Sequence, residues 1–443
     1  MDTPVHPLND RRTINGWALF DWANSAYALV ITVAIFPAYY LTVTADQIQL
    51  GPWSISNSGL YSFSISAAYL LLAACSPFLS GIADYGGRKK AFLRFFTTLG
   101  ALACMSLFFF TGTDEQASSA ANQWQTLLGT GAFMLGTIGF AGGLVFYNSY
   151  LPDITTEEHY DRVSARGFAL GYIGSVLLLL TNLLLITQPQ WFGLTDGSLP
   201  ARISFLMVGI WWLGFAQISF RRLPRDPRHG KESALIQKGI RELQKVWRVV
   251  KGEGNIRGFL WAFFFYSAGV QTVLFLAATF AEKELSFETT ELIGIILLLQ
   301  VVAIAGAYLF ARVSEWKGNK ISLSVMLLIW MGICLVAYFV EEKHQFFAVA
   351  GAVGLVMGGI QSLSRSTYSK LLPEETEDTT SFFSFYDILE KVAIVLGTFS
   401  FGLIELISGG MRNSILSLTV FFIIGLVLLS TVRIQHSRSK VEK

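Results

Sequence analysis

Residues 17–43 read WALFDWANSAYALVITVAIFPAYYLTV, and the only charged side chain in the run is Asp21. A helix needs about 20 apolar residues to cross the hydrocarbon core of a bilayer, so this stretch is long enough to span it. It is also too long for the apolar core of a cleavable signal peptide, and it reads as a first spanning helix that stays in the chain.

Outward from this run the pattern repeats along the chain. Apolar stretches at roughly 17–43, 57–81, 91–112, 124–150, 165–187 and 202–220 are followed by a polar break. Six more follow at 258–281, 290–312, 321–340, 345–371, 380–408 and 412–432. The composition agrees: 53% of the 443 residues are hydrophobic and 14% charged, with a mean hydropathy of +0.50. A water-soluble chain carries charge on about a quarter of its residues. Here lipid must be the main solvent, and the expected fold is an all-α integral membrane protein with twelve spans. The organisation expected is a six-helix bundle over 1–220, a linker over 221–257 and a second six-helix bundle over 258–443. Cys75, Cys104 and Cys334 lie inside apolar stretches without metal-like spacing and read as small core hydrophobes.

Charge placement gives an orientation. Arg221, Arg222, Arg225, Arg228, Lys231, Lys238, Arg241, Lys245, Arg248, Lys251 and Arg257 crowd the central segment. Arg88, Lys89 and Lys90 fall on the same side, as do Arg433, Arg438, Lys440 and Lys443, whereas loops 44–56 and 113–123 contain no Lys or Arg. Cytoplasmic loops carry the excess of basic residues, so both termini and the linker are expected in the cytoplasm. Within the linker, Leu235, Ile236, Ile240, Leu243, Val246, Trp247 and Val250 recur at helical spacing among basic residues. This is the pattern of a helix lying at the inner membrane surface; a site for a regulatory partner is the sharper alternative.

The two halves repeat one another. Gly136, Gly139 and Gly143 match Gly351, Gly354 and Gly358 in spacing, Leu151-Pro152-Asp153 matches Leu372-Pro373-Glu374, and the turn Asp84–Lys89 matches Glu315–Lys320. Such repeats build many transporters. The glycine stripes, with Gly167, Gly171 and Gly174, allow close helix packing, either static or as a seam along which helices slide.

The segment Gly81-Ile82-Ala83-Asp84-Tyr85-Gly86-Gly87-Arg88-Lys89-Lys90 resembles the motif between spans two and three of the major facilitator superfamily, with Tyr85 where a basic residue is common. Its chemistry is legible without the family. Gly81 and Gly87 permit a tight turn, and Asp84 suits the positive end of a helix dipole. Asp378-Thr379-Thr380-Ser381, a run of capping residues, offers such an end at span eleven. Arg88 is expected to tie the turn to a carboxylate, forming a gate that breaks when the protein changes state. Three further segments resemble signatures of the vacuolar amino-acid effluxer-like branch, whose bacterial members are called the unknown major facilitator family. They are Phe20–Tyr27, the pair Tyr147–Asp153 and Ser164–Ala169, and Tyr266–Thr272, where Ala268 replaces an acidic residue common among relatives. The resemblance implies alternating-access transport of amino acids, with export as one direction.

Ionisable groups inside spans are costly and are functional candidates by default. Asp21, with Asn24 on the same helical face, is either a substrate group or an interfacial cap. Asn148 and Arg166 are expected to complete a polar cluster with Asp21 or Asp153. Asp387 and Lys391 are four apart on span eleven, Glu390 lies roughly 16 Å along that helix, and Arg365 is inside span ten. These charges form either a proton-coupling network or a permanent structural cluster. Trp22, Tyr266, Gln271, Thr272, Gln300 and Gln361 are the remaining substrate-binding candidates. No nucleophile elbow, zinc-type His pair or phosphate-binding loop is present, so the chain does not read as an enzyme, and no cofactor or nucleic acid is expected. The reading is a monomeric secondary transporter of a small solute in a bacterial inner membrane, an amino acid foremost, with protons as the candidate coupling ion. A transporter of sugars or drug-like solutes, or a non-transporting sensor on the same fold, are the alternatives.

Overall fold

The computed structural model describes residues 7–50, 53–113, 118–194, 197–226, 235–373, 376, 378–408 and 410–434. Arg228, Lys231, Glu374, Arg438, Lys440 and Lys443 lie outside the described residues, as do the side chains of Leu235, Ile236 and Lys238. Twelve helices among the described residues are long and apolar enough to cross a membrane. They are spans one (Arg11–Val43), two (Asn57–Gly86), three (Lys89–Phe109), four (Ala120–Asn148), five (Glu157–Thr187), six (Leu199–Arg222), seven (Gly254–Leu285), eight (Glu291–Lys317), nine (Asn319–Phe339), ten (Lys343–Leu371), eleven (Thr379–Ser408) and twelve (Met411–Thr431).

Several helices run past their apolar stretch at one end. Span one starts at Arg11, span five at Glu157 and span seven at Gly254. The extra turns carry polar residues, of which Arg11, Arg12, Glu158, His159, Asn255 and Arg257 are exposed. Side chains cap many starts: Asp10 Oδ2 accepts the Thr13 N–H at 2.9 Å and Ser56 Oγ that of Gly59 at 3.1 Å. Span three is capped from a distance, because Asp226 accepts the N–H groups of Lys90 and Ala91 at 2.7 and 2.9 Å. Burial pushes the Asp226 carboxyl above its usual range, and these two N–H groups pull it back.

Helix packing follows an internal symmetry. Span one packs on five and six, span two on four, and span three on four and six; in the second half seven packs on eleven and twelve, eight on ten, and nine on ten and twelve. Shifting every number by six maps the first set onto the second. The glycine stripes serve these contacts within a half: a Cβ on Gly139 would strike Gly100 of span three, and one on Gly358 would strike Ala303 of span eight. The halves meet where span five lies on eight and ten, and span two on eleven.

Two features were outside the sequence expectation. Within loop 44–56, Gln47–Leu50 pairs antiparallel with Trp53–Ser56. Span one is α-helical over Arg11–Ala26, wound as a wider π-helix over Tyr27–Ile35, and α-helical again over Phe36–Val43. Pro37, which has no N–H to donate and whose ring crowds the preceding turn, stands where the wide segment ends.

The linker helix, Leu235–Gly252, packs against the spans. It lies on span two and touches spans seven and eleven, with Val246 and Val250 buried. Arg241, Arg248 and Lys251 stay on its exposed side.

Candidate functional site

A cavity of about 380 Å³ opens between the halves. Span one contributes Asp21, Asn24 and Ser25, spans four and five Asn148 and Tyr172, and span seven Tyr266 and Gln271. Spans eight and ten add Gln300, Gln361 and Arg365, and span eleven adds Asp387, Glu390 and Lys391. Aromatic rings of Phe140, Phe168 and Phe263 form much of the remaining wall. The site thus combines an apolar body with charges of both signs, as small-molecule pockets do.

At one end of the cavity Asp21 and Arg365 pair at 3.4 Å. Tyr147 Oη donates to Asp21 at 2.7 Å. The Arg365 guanidinium donates to Asn148 Oδ1 at 3.2 Å and to the hydroxyl and carbonyl of Ser164 at 2.9 Å each. It lies over the rings of Trp17 at 4.6 Å and Phe168 at 4.3 Å, contacts that suit a planar cation. Gly167 makes the room: a Cβ there would come within 2.5 Å of Asp21 Oδ2. On span eleven Lys391 pairs with Asp387. Glu390 accepts from Gln271 Nε2 at 3.0 Å. Among the described residues, Asp387 Oδ2 and Asn24 Oδ1 are buried without a hydrogen-bond partner.

From this floor to the face that carries the linker helix, the halves are tied together. Asp84 accepts the N–H groups of Thr380 and Ser381 at 3.2 and 2.6 Å. Lys89 bonds Asp153 at 2.6 Å and Thr379 Oγ1 at 2.7 Å. Arg162 pairs with Glu315 at 3.1 Å, and buried Asp161 bonds Lys370, Asn319 and Ser314 at 2.7–2.8 Å. Ser164 Oγ donates to the Ser362 carbonyl at 2.7 Å and Tyr172 Oη to Gln361 at 2.6 Å. Asp84 and Glu315 hold equivalent places in the repeat, so the two latches are symmetry mates: two onto eleven, and eight onto five. Among the described residues, every hydrogen bond or ion pair joining the halves lies between the Tyr172–Gln361 contact and this linker face. Toward the opposite face, the ion pairs Lys343–Glu291 and Arg412–Glu284 stay within the second half.

The linker helix lies over one latch. A Cβ on Gly81 would meet the Gly239 carbonyl oxygen at 2.3 Å. Lys245 bonds Asp378, just before span eleven, at 2.8 Å, and Trp247 stacks on Phe385 at 5.5 Å. Gly87 closes span two with φ 57°, a left-handed turn suited to glycine.

Four expectations require correction. Trp22 does not line the cavity; its ring stacks on Trp211 of span six at 5.3 Å. Thr272 is buried against Gly397, and its hydroxyl donates to the Ala268 carbonyl. Arg166 is exposed, because span five turns Ser164 and Gly167 inward instead, and Arg365 from span ten fills the place proposed for it. Arg88 is exposed as well; the next residue, Lys89, makes the carboxylate contact.

The sequence profile of the family described as "Vacuole effluxer Atg22 like" matches residues 9–442. The chain belongs to this family. Its relatives include an "Uncharacterized MFS-type transporter YxiO" of Bacillus subtilis, 31% identical over 94% of both chains. Autophagy-related protein 22 of Saccharomyces cerevisiae is 24% identical over 88% of this chain and 80% of its own. Among solved structures, the transporter FucP in its outward conformation superposes with a TM-score of 0.70 at 12% identity, covering 96% of this chain and all of that one. A bacterial homologue of the iron transporter ferroportin, in an outward-facing state, gives 0.67 at 13% identity over 95% of this chain and 98% of its own. The Atg22-like chain therefore has the major-facilitator fold and is a transporter of that type rather than an enzyme.

Within this Atg22-like site, several groups were not singled out from sequence. Tyr147 and Ser164 lie inside the family signatures, one beside and one two residues before the positions chosen. Asp161, Lys370 and Asn319 sit at span ends, where a polar residue looks like ordinary interfacial polarity, and the packing of span five on eight and ten brings them together.

Proposed function

We propose that the protein is a secondary transporter that exports an amino acid by alternating access, with proton coupling through Glu390 and Asp387, and that it acts as a monomer in a bacterial inner membrane. The observation that carries the reading is a cavity with charged walls between two halves whose mutual bonds, among the described residues, run from the cavity floor to one face. That arrangement suits the state in which the linker face is shut and the opposite face gives access. The excess of Lys and Arg around the linker makes the shut face cytoplasmic, so the state is outward-facing. Opening requires the latches at Asp84 and Asp161 to part together, since both span the same seam.

Charges of both signs and apolar walls fit a zwitterion with a hydrophobic side chain. The family description, "Vacuole effluxer Atg22 like", supports movement of a solute from one side of a membrane to the other. Glu390 suits a coupling role because, among the cavity carboxylates, it alone has no cationic hydrogen-bond partner. The test is flux and counterflow of radiolabelled amino acids in proteoliposomes, with and without an imposed pH gradient. Saturable flux that responds to the gradient supports the full reading, and flux indifferent to it leaves an exchanger or facilitator. Absence of flux for every amino acid removes the substrate class.

A further inference from the structure

Arg365 belongs to the second half, yet every hydrogen-bond partner of its guanidinium lies in the first: Asp21, Asn148 and Ser164. Its side chain and that of Asp21 are almost wholly buried, at 3% and 6% exposure. Two bonds beside it, Ser164 to Ser362 and Tyr172 to Gln361, cross the same seam. When the linker face opens, span ten must carry Arg365 away from spans one, four and five. Asp21 then keeps only Tyr147, its partner within the same half.

We infer that the Asp21–Arg365 pair is an internal stand-in for a zwitterionic ligand: it occupies both charge sites while the linker face is shut, and a ligand carboxylate and ammonium replace it when that face opens. This rests on the transport reading above. Separating a buried ion pair leaves two charges whose desolvation is no longer compensated, and a molecule bearing both signs restores the balance. The guanidinium fork matches a carboxylate, and Asp21 accepts from an ammonium group. In the shut state the two side chains satisfy each other at 3.4 Å and offer the ligand little. Affinity therefore depends on the state, and a ligand shifts a conformational equilibrium only through such a difference. Loading is favoured at the linker face and release at the other.

The alternative role is a static strut, which would stabilise the shut face without influencing which ligands compete. Two measurements separate these roles. In the first, cysteines at Arg162 and Glu315, an exposed ion pair across the shut face, are bridged by a short thiol-specific linker in a Cys75→Ser background. Asp21→Asn should lower the cross-linking yield several-fold, with Arg365→Lys intermediate, and phenylalanine should lower it further in the otherwise unmodified chain. An unchanged yield in Asp21→Asn overturns the lock, and a yield that none of the twenty amino acids alters overturns the ligand class.

In the second, phenylalanine counterflow in proteoliposomes is competed with phenethylamine, which lacks the carboxylate, and 3-phenylpropanoate, which lacks the ammonium. Wild type should prefer phenylalanine to phenethylamine by ~10-fold or more, the scale of one lost charge-assisted bond. Arg365→Gln should lose that preference and Arg365→Lys should retain part of it. If Arg365→Gln folds poorly, wild type still decides the point, because its discrimination should be strong at the linker face and weak at the other. Equal discrimination at both faces overturns the proposal. Absence of amino-acid flux in wild type defeats the transport reading, and the cross-linking result then stands separately.

Discussion

The carboxylate of Asp84, at the end of span two, accepts the backbone N–H of Ser381, in the first turn of span eleven, at 2.6 Å. One side chain of the first half thus closes an otherwise open helix start in the second, and it does so where the linker helix crosses span two.

Replacing Asp84 with Asn keeps the shape and removes the charge from the positive end of a helix. Charge at a helix terminus and bonds to charged groups each contribute about 1–2 kcal/mol, so the shut face should lose ~10-fold in population. Cross-linking between cysteines at Arg162 and Glu315 should fall accordingly. A yield equal to that of the parent would mean that Asp84 does not hold the face shut.

Glu390→Gln and Asp387→Asn should each abolish accumulation driven by a pH gradient while sparing exchange at equal pH on both sides. Gradient-driven uptake is measured against counterflow in the same vesicles. If both variants still respond to the gradient, the coupling group lies elsewhere.

At Gly81 a Cβ would press on the Gly239 carbonyl at 2.3 Å, a contact with no flexible side chain to yield. Gly81→Val should therefore push the linker helix off span two, at a cost of about 1–3 kcal/mol. The readouts are a lower melting temperature in detergent and faster proteolysis within the linker. A variant as resistant as the parent would show that the contact carries no strain.

Trp22→Ala and Gln271→Ala should fail in different ways. Trp22 packs on Trp211 outside the cavity, so its loss should lower thermal stability with little change in substrate KM. Gln271 lines the cavity, and its loss should raise KM by roughly 3–10-fold at near-normal stability. The reverse pattern would relocate the site.

Much of the fold was legible because lipid imposes a simple rule: twelve long apolar runs and a lopsided Lys/Arg distribution leave few other arrangements. Asp84 was legible for a related reason, since a carboxylate after a glycine and a capping run before span eleven are both local signals. The cavity floor was harder to read. Sequence spacing says that Ser164, Arg166 and Gly167 cannot all share one face, but the rotation of span five is set by the helices it packs on. Those contacts turned Arg166 out and admitted Arg365 from span ten. Trp22 shows the same limit, because a tryptophan one residue from Asp21 points about 100° away from it. The strand pair Gln47–Leu50 and Trp53–Ser56 and the wide turns of span one left no periodic apolar signal to follow.

Those wide turns set the phase of the first span. The cavity is lined by Asp21, Ser25, Leu29 and Val33, and alongside them by Asn24, Ala28 and Thr32, a strict repeat of four. Four residues of an α-helix overshoot a full turn by ~40°, so such a row would wind away from the cavity within a few turns. The π-wound segment Tyr27–Ile35 absorbs the overshoot and keeps the row in line. Deleting a single residue from that segment would let it tighten and swing the Val43 end of the helix around its axis, while the Arg11 end stayed in place. The length of this segment, as much as its chemistry, then decides which side chains a passing solute meets.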